Sequence, residues 1–182
     1  MSIELVLGGA RSGKSRFAEQ RIKQRCDMLP NVTKHYIATS EPLDDEMRAR
    51  ISHHRQQRGD GWIEWEVPVE LVDTLSKFDK SDVVLVDCLT LWLNNVIYYL
   101  GESVNNDEIE QAVSKLADAL SHSDAHIVLV SNEVGLGVVP LGEVSRMFVD
   151  NAGRMNQEIA KVSDSVTLVA AGLPLVLKGS ER

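Results

Sequence analysis

The stretch Ile3-Glu4-Leu5-Val6-Leu7-Gly8-Gly9-Ala10-Arg11-Ser12-Gly13-Lys14-Ser15 decides the fold. Its first five residues read as a short buried strand, Ile3–Leu7. The next eight meet the pattern G-x-x-x-x-G-K-[ST] at every specified position. A helical stripe follows at once, Ala18, Ile22, Cys26 and Leu29, spaced i, i+4, i+8, i+11. In this strand–loop–helix context the glycines let successive backbone N–H groups turn inward around phosphate oxygens. The helix N-terminus adds partial positive charge. Gly8, Gly9, Ala10, Arg11, Ser12 and Gly13 are therefore expected to cradle a polyphosphate, with Lys14 on its β- and γ-phosphates and the Ser15 hydroxyl on Mg²⁺. A glycine-rich turn that holds no ligand is the competing reading.

Working outward, further apolar runs at His35–Ala38, Val83–Asp87, Ile127–Ser131 and Val166–Ala170 alternate with helix-period segments. A short edge strand is expected at Trp62–Val67. Helical stripes fall at Leu71/Val72/Leu75/Phe78, Ile109/Val113/Leu116/Leu120 and Val144/Phe148/Met155/Ile159/Val162. This order predicts an α/β fold, a mostly parallel sheet flanked by helices. No repeat or linker divides residues 1–182, so one domain is expected. The segment Leu89–Leu100 is apolar nearly all the way round a helix, which requires burial in the core or in a subunit interface. It is interrupted by Asn94-Asn95 and is too short for a membrane span.

Composition narrows the function. The chain has 182 residues, 19 Lys+Arg against 27 Asp+Glu and a formal net charge of −8. An acidic surface argues against nucleic acid as a partner, because that affinity rests on basic side chains releasing counterions. The two cysteines, Cys26 and Cys88, lack metal-ligand spacing and read as free thiols. Without a basic, then apolar, N-terminal run, the chain is expected in the cytoplasm.

Asp87 closes the predicted strand Val83–Asp87 at the edge where ligands collect in such sheets. Two roles are open to it, a Mg²⁺ partner and an N-cap for the next helix. A second helix is expected after Pro42, acidic at Asp44-Asp45-Glu46 and basic beyond. Between Arg48 and Arg58 it holds four arginines and no carboxylate. That pattern suits either polyphosphate or a solvated face. At 100° per residue His54 falls within about 20–60° of Met47 and Ile51, and about 100° from His53, so it faces inward. An inward imidazole is either a hydrogen-bonded core residue or, beside a bound triphosphate, a nucleophile toward phosphorus.

Taken together these blocks resemble one family, the bifunctional adenosylcobinamide kinase / adenosylcobinamide-phosphate guanylyltransferases of cobalamin biosynthesis. The likeness runs through Gly8–Arg16, Tyr36-Ile37-Ala38-Thr39-Ser40, Asp44–Met47, Arg50–Arg55, Asn132–Pro140 and Ala152–Gln157. It implies a recombinase-like phosphate-loop fold and two reactions. One phosphorylates the aminopropanol hydroxyl of adenosylcobinamide with ATP or GTP. The other transfers GMP from GTP, through a guanylylated histidine, to adenosylcobinamide phosphate, releasing pyrophosphate. The resemblance puts that histidine at His54. It also puts guanine-nucleotide contacts at Ala38, Thr39, Ser40, Arg55, Gln56, Gln57, Arg58 and Glu66, Mg²⁺ on Ser15 and Asp87, and the chain in a homotrimer. Asp87 stands where relatives carry Glu. Glu133, in the loop Asn132–Pro140, is a candidate for orienting the acceptor hydroxyl, or part of a simple turn. A monofunctional kinase for another small metabolite and a nucleotide-gated assembly module are the alternatives.

Overall fold

Ser2–Gly8 forms β1, one residue longer at each end than the sequence predicts, and all of it but Ser2 is buried. The computed structural model describes residues 1–41, 45, 58–101 and 103–179. After β1 come α1 (Lys14–Met28), β2 (Thr33–Ala38), β3 (Trp62–Glu66), α2 (Leu71–Leu75) and β4 (Asp82–Asp87). Then follow α3 (Leu89–Leu100), α4 (Asn106–Ser121), β5 (His126–Asn132), α5 (Glu143–Val162), β6 (Ser165–Ala170) and β7 (Leu173–Lys178). The strands make one seven-stranded sheet in the order β3-β2-β4-β5-β1-β6-β7. Every pairing is parallel except β6 with β7.

Two apolar layers hold the sheet. Along β4, Val83 and Leu85 point to one face and Val84 and Val86 to the other, the period-2 alternation of a strand. On the first face they meet Ala18 and Ile22 of α1, with Val6, Val128 and Val130. On the second, Leu5, Leu7, Ile127 and Leu129 pack beneath residues of α2 to α5. Burial on both faces is why the central strands read as continuous apolar runs. Glu4 is the exception, a buried carboxylate in the middle of β1, and α1 supplies Arg21 at 2.8 Å and Arg25 at 3.1 Å to neutralise it.

Several expectations change in detail. β7 is absent from the sequence reading because Pro174 and three exposed leucines, Leu173, Leu175 and Leu177, do not look like a strand. At a sheet edge proline is tolerated, since one flank needs no donor. α2 stops at Leu75, yet Phe78 stays buried against His35, ring centroids 4.6 Å apart. In α5, Met155 and Ile159 are buried as the stripe predicts, whereas Val144 is exposed. α3 is buried nearly all round over its first turns, Leu89 to Ile97, while Tyr98, Tyr99 and Leu100 emerge into solvent. No described helix is long and apolar enough to cross a membrane.

Candidate functional site

The parallel strands deliver their carboxyl ends to one edge of the sheet, and the loop Gly8–Ser15 stands there. Arg11 (φ 54°) and Gly13 (φ 96°) are both left-handed, which winds the loop back on itself before α1 begins. Gly8 has no room for a side chain: a Cβ there would lie 2.6 Å from the Val169 carbonyl oxygen and would also collide with Ser12 Oγ. Ser12 N donates to Gly9 O at 3.3 Å, Lys14 Nζ donates to the same carbonyl at 3.1 Å, and Gly172 N donates to Ser12 O at 2.8 Å. The first turn of α1 has no side-chain cap, so its N–H groups face the loop. Ser12 Oγ is buried and finds no partner among the described residues. A buried hydroxyl left without a described partner in a glycine-rich loop that leads into an uncapped helix N-terminus fits an oxyanion such as a phosphate.

From this loop a cleft of about 1440 Å³ runs between α1 and the sheet. Its walls include Ala10 to Arg16, Glu19, Lys23 and Asp27 from the loop and α1, and Tyr36, Ala38, Ser40, Arg58, Trp62, Asp87 and Asn132 from the sheet side. Asp87, half-buried at the end of β4, accepts the Tyr36 hydroxyl at 3.4 Å. The Arg58 guanidinium lies 3.4 Å from the centre of the Tyr36 ring and donates to Glu64 at 2.9 Å. Its side chain is only 3% exposed, and its Nε–H has no acceptor among the described residues.

Charge in this corner is balanced at close quarters. Burial pushes the Tyr36 hydroxyl well above its ordinary pKa, and the Asp87 carboxylate pushes it further, so it stays a donor. Burial also raises the Glu19 carboxyl, Arg58 pulls it back down, and Asp87 adds to the rise. Cys88, buried beside Asp87, is held as a thiol chiefly by desolvation.

The residues expected at a nucleotide site are distributed unevenly. Ala10 to Ser15, Ala38, Ser40, Arg58 and Asp87 share the cleft, whereas Gly8 and Gly9 shape the loop behind it. Thr39 is fully buried and does not line the cleft: its hydroxyl donates to Cys88 O at 2.7 Å and accepts from Cys88 N at 2.8 Å. Asn95 Nδ2 donates to Thr39 O at 2.8 Å, tying α3 to the same point. Glu66 ends β3 beside Ala38 and is exposed, outside the cleft. Glu133 N donates to Gly8 O at 3.1 Å, but its carboxylate turns back to accept Gly135 N at 2.9 Å. His54, Arg55, Gln56 and Gln57 lie outside the described residues. Glu19, Tyr36 and Trp62 were not singled out from the sequence. Only Glu19 carried a usable signal, its place one helical turn beyond Ser15.

Comparison with known proteins agrees on fold and family. Residues 4–177 match the family model described as cobinamide kinase / cobinamide phosphate guanyltransferase (CobU). The bifunctional adenosylcobalamin biosynthesis protein CobP of Pseudomonas aeruginosa is 45% identical over 177 residues, 97% of this chain and 97% of that one. The corresponding CobU proteins of Escherichia coli and Salmonella typhimurium are 41% and 40% identical, each across 96% of this chain and 98% of the relative. Among solved structures, the flagellar accessory protein FlaH of Methanocaldococcus jannaschii superposes with a TM-score of 0.52 at 13% identity, covering 100% of this chain and 82% of that one. A solved ATPase domain also gives 0.52 at 13% identity, covering 92% and 68%. At that identity the structural likeness speaks for the fold alone.

Proposed function

The chain belongs to the cobinamide kinase / cobinamide phosphate guanyltransferase family, and from that membership we propose that it carries out two successive transfers on one corrinoid. In the first, the aminopropanol hydroxyl of adenosylcobinamide takes the γ-phosphoryl group of ATP or GTP. In the second, GMP passes from GTP to the new phosphate, giving adenosylcobinamide-GDP and pyrophosphate. The observation that carries the reading is the cleft that opens from the phosphate loop and is lined by Lys14, Ser15 and Asp87 together, in a chain aligned with bifunctional relatives over nearly its whole length.

In this reading the backbone N–H groups of Gly9 to Ser15 hold the β- and γ-phosphates, and Lys14 exchanges its Gly9 carbonyl for phosphate oxygens. Ser15 and Asp87 hold Mg²⁺. A hydroxyl and a carboxylate are hard oxygen donors, and few protein ligands are needed for an ion that keeps its waters and binds substrate phosphates. Bound between Ser15 and Asp87, the ion would supply positive charge to offset what builds on the phosphates during transfer. Tyr36 keeps Asp87 oriented by its hydrogen bond. Arg58, with Ala38, Ser40 and Arg55 to Gln57, meets the guanine nucleotide. Thr39 acts through the main chain, fixing the Asp87-Cys88 peptide.

His54 is the nucleophile of the second transfer. Its neutral ring nitrogen attacks the α-phosphorus of GTP, the bond to the β-phosphate oxygen breaks, and pyrophosphate leaves. A phosphate oxygen of the corrinoid then displaces the imidazole. Arg50, Arg55 and Arg58 flank it in the sequence and supply positive charge for the phosphoryl oxygens. The protein works in the cytoplasm as a homotrimer, with the exposed Tyr98, Tyr99 and Leu100 of α3 contributing to the subunit contact.

The test is product analysis with adenosylcobinamide, GTP and Mg²⁺. Wild type should give both the phosphate and the GDP derivative, and His54→Ala should stop at the phosphate. A His54→Ala variant that forms adenosylcobinamide-GDP at the wild-type rate overturns the histidine's role. A wild type that modifies no corrinoid overturns the function.

A further inference from the structure

The kinase reading above, on which this inference rests, leaves open which group takes the proton from the acceptor alcohol. Three carboxylates line the cleft among the described residues: Glu19, Asp27 and Asp87. Asp27 sits at the far end of α1, roughly 20 Å from Lys14 at 1.5 Å per residue. Asp87 already accepts the Tyr36 hydroxyl and is the carboxylate suited to the metal. Glu133, just outside the cleft wall, is folded onto the Gly135 amide.

Glu19 differs from all three. It lies one turn beyond Ser15 on the same face of α1, and a helical side chain leans over the turn that precedes it, which carries the carboxylate back toward Lys14 and Ser15. It makes no hydrogen bond or ion pair with another described residue. It lines the same cleft as Asp87 and Arg58 and feels the charge of both, and the buried Arg58 Nε–H has no acceptor among the described residues. We propose that Glu19 is the catalytic base of the phosphoryl transfer, holding the acceptor hydroxyl and taking its proton.

The step balances without further reactants. The alcohol O–H bond breaks and its proton passes to a Glu19 oxygen. The alcohol oxygen forms the new bond to the γ-phosphorus as the bond to the β–γ bridging oxygen breaks, and the electron pair leaves on the nucleoside diphosphate. The partial burial that raises the Glu19 carboxyl makes it a better proton acceptor than an exposed one. Among the described residues, Arg58 ahead of β3, Asp87 from β4 and Tyr36 from β2 are coupled to it electrostatically, and Arg16 and Lys23 of α1 line the same cleft.

The experiment compares wild type, Glu19→Gln and Glu19→Asp in steady-state phosphorylation of adenosylcobinamide by Mg-ATP across pH, with ATP affinity measured separately by fluorescence titration. Glu19→Gln should lower kcat by about 10²–10⁴-fold, keep the ATP Kd within about threefold, and abolish the acid limb of the kcat profile. Glu19→Asp should be intermediate in kcat and retain that limb. A Gln variant within about threefold of wild-type kcat overturns the assignment. So does a reduced kcat with the acid limb unchanged, or a loss of ATP binding together with turnover, which would place Glu19 in the nucleotide site instead. A wild type that phosphorylates no adenosylcobinamide overturns the kinase reading and this role with it, whereas an active wild type beside an equally active Gln variant overturns only the role of Glu19.

Discussion

Replacing Thr39 with valine keeps the side chain's shape and removes the oxygen that fastens β2 to the turn after β4. The residue is 0% exposed, so water cannot take that oxygen's place. Two hydrogen bonds disappear, at 2.7 Å to Cys88 O and 2.8 Å from Cys88 N. The carbonyl keeps a partner, because Trp92 N donates to it at 3.1 Å, but the Cys88 amide is left buried and unpaired. A stranded buried donor costs about 1–3 kcal/mol and the second lost bond about 1 more, so Thr39→Val should destabilise by about 2–4 kcal/mol. For a chain of this size that is roughly 4–16 °C in Tm. Thr39→Ser keeps the oxygen and loses one methyl group, for about 1 kcal/mol. Urea unfolding reads the difference as a lower midpoint at an unchanged m-value. Because the Asp87-Cys88 peptide hangs from this bond, turnover should fall with stability in the valine variant. A valine variant within about 0.5 kcal/mol of wild type, or a serine variant as damaged as valine, would refute the reasoning.

Three further outcomes follow from the same structure. Gly8→Ala forces a Cβ to 2.6 Å from the Val169 carbonyl oxygen, which belongs to the backbone and cannot swing aside; it should cost about 3 kcal/mol and weaken nucleotide binding, read by unfolding and by ATP titration. Glu4→Gln removes the charge shared by Arg21 and Arg25, each about a quarter exposed, and should cost about 1–3 kcal/mol in low salt and less in high salt. Glu19→Gln should stabilise the fold at pH 7. The Glu19 carboxyl is raised in the folded state from its ordinary 4.5, so its contribution is full below that pH and is lost as pH rises through the folded value. The thermal-melt advantage of the Gln variant should therefore shrink as pH is lowered toward 4.5, and an advantage that grows on acidification contradicts the sign.

What the sequence made legible is whatever rests on local pattern. β1, β4, β5 and β6 are apolar runs because they are buried on both faces, and the phosphate loop is readable because its glycines are required one by one, as Gly8 shows. β7 was not readable, since an edge strand needs neither alternation nor an unbroken row of donors, and its leucines are solvent-facing. Long-range pairings were equally out of reach. Nothing in the spacing of Tyr36, Arg58 and Asp87 announces that an arginine covers the tyrosine ring while its hydroxyl reaches the aspartate. Thr39 shows how a motif can suggest a ligand contact at a position whose hydroxyl the fold uses for itself. Helical geometry, by contrast, does place Glu19 one turn from Ser15. Only the sheet packed against α1 reveals that Glu19 lines a cleft with Asp87 and feels its charge.

The most direct test of the bifunctional account is to incubate the protein with Mg²⁺ and GTP labelled on either the α- or the γ-phosphate, then measure label bound to the denatured chain. The account predicts acid-labile, alkali-stable label from α-labelled GTP only, kept in His53→Ala and absent in His54→Ala. Absence of label in wild type, label from the γ-phosphate, or label that persists in His54→Ala would contradict it.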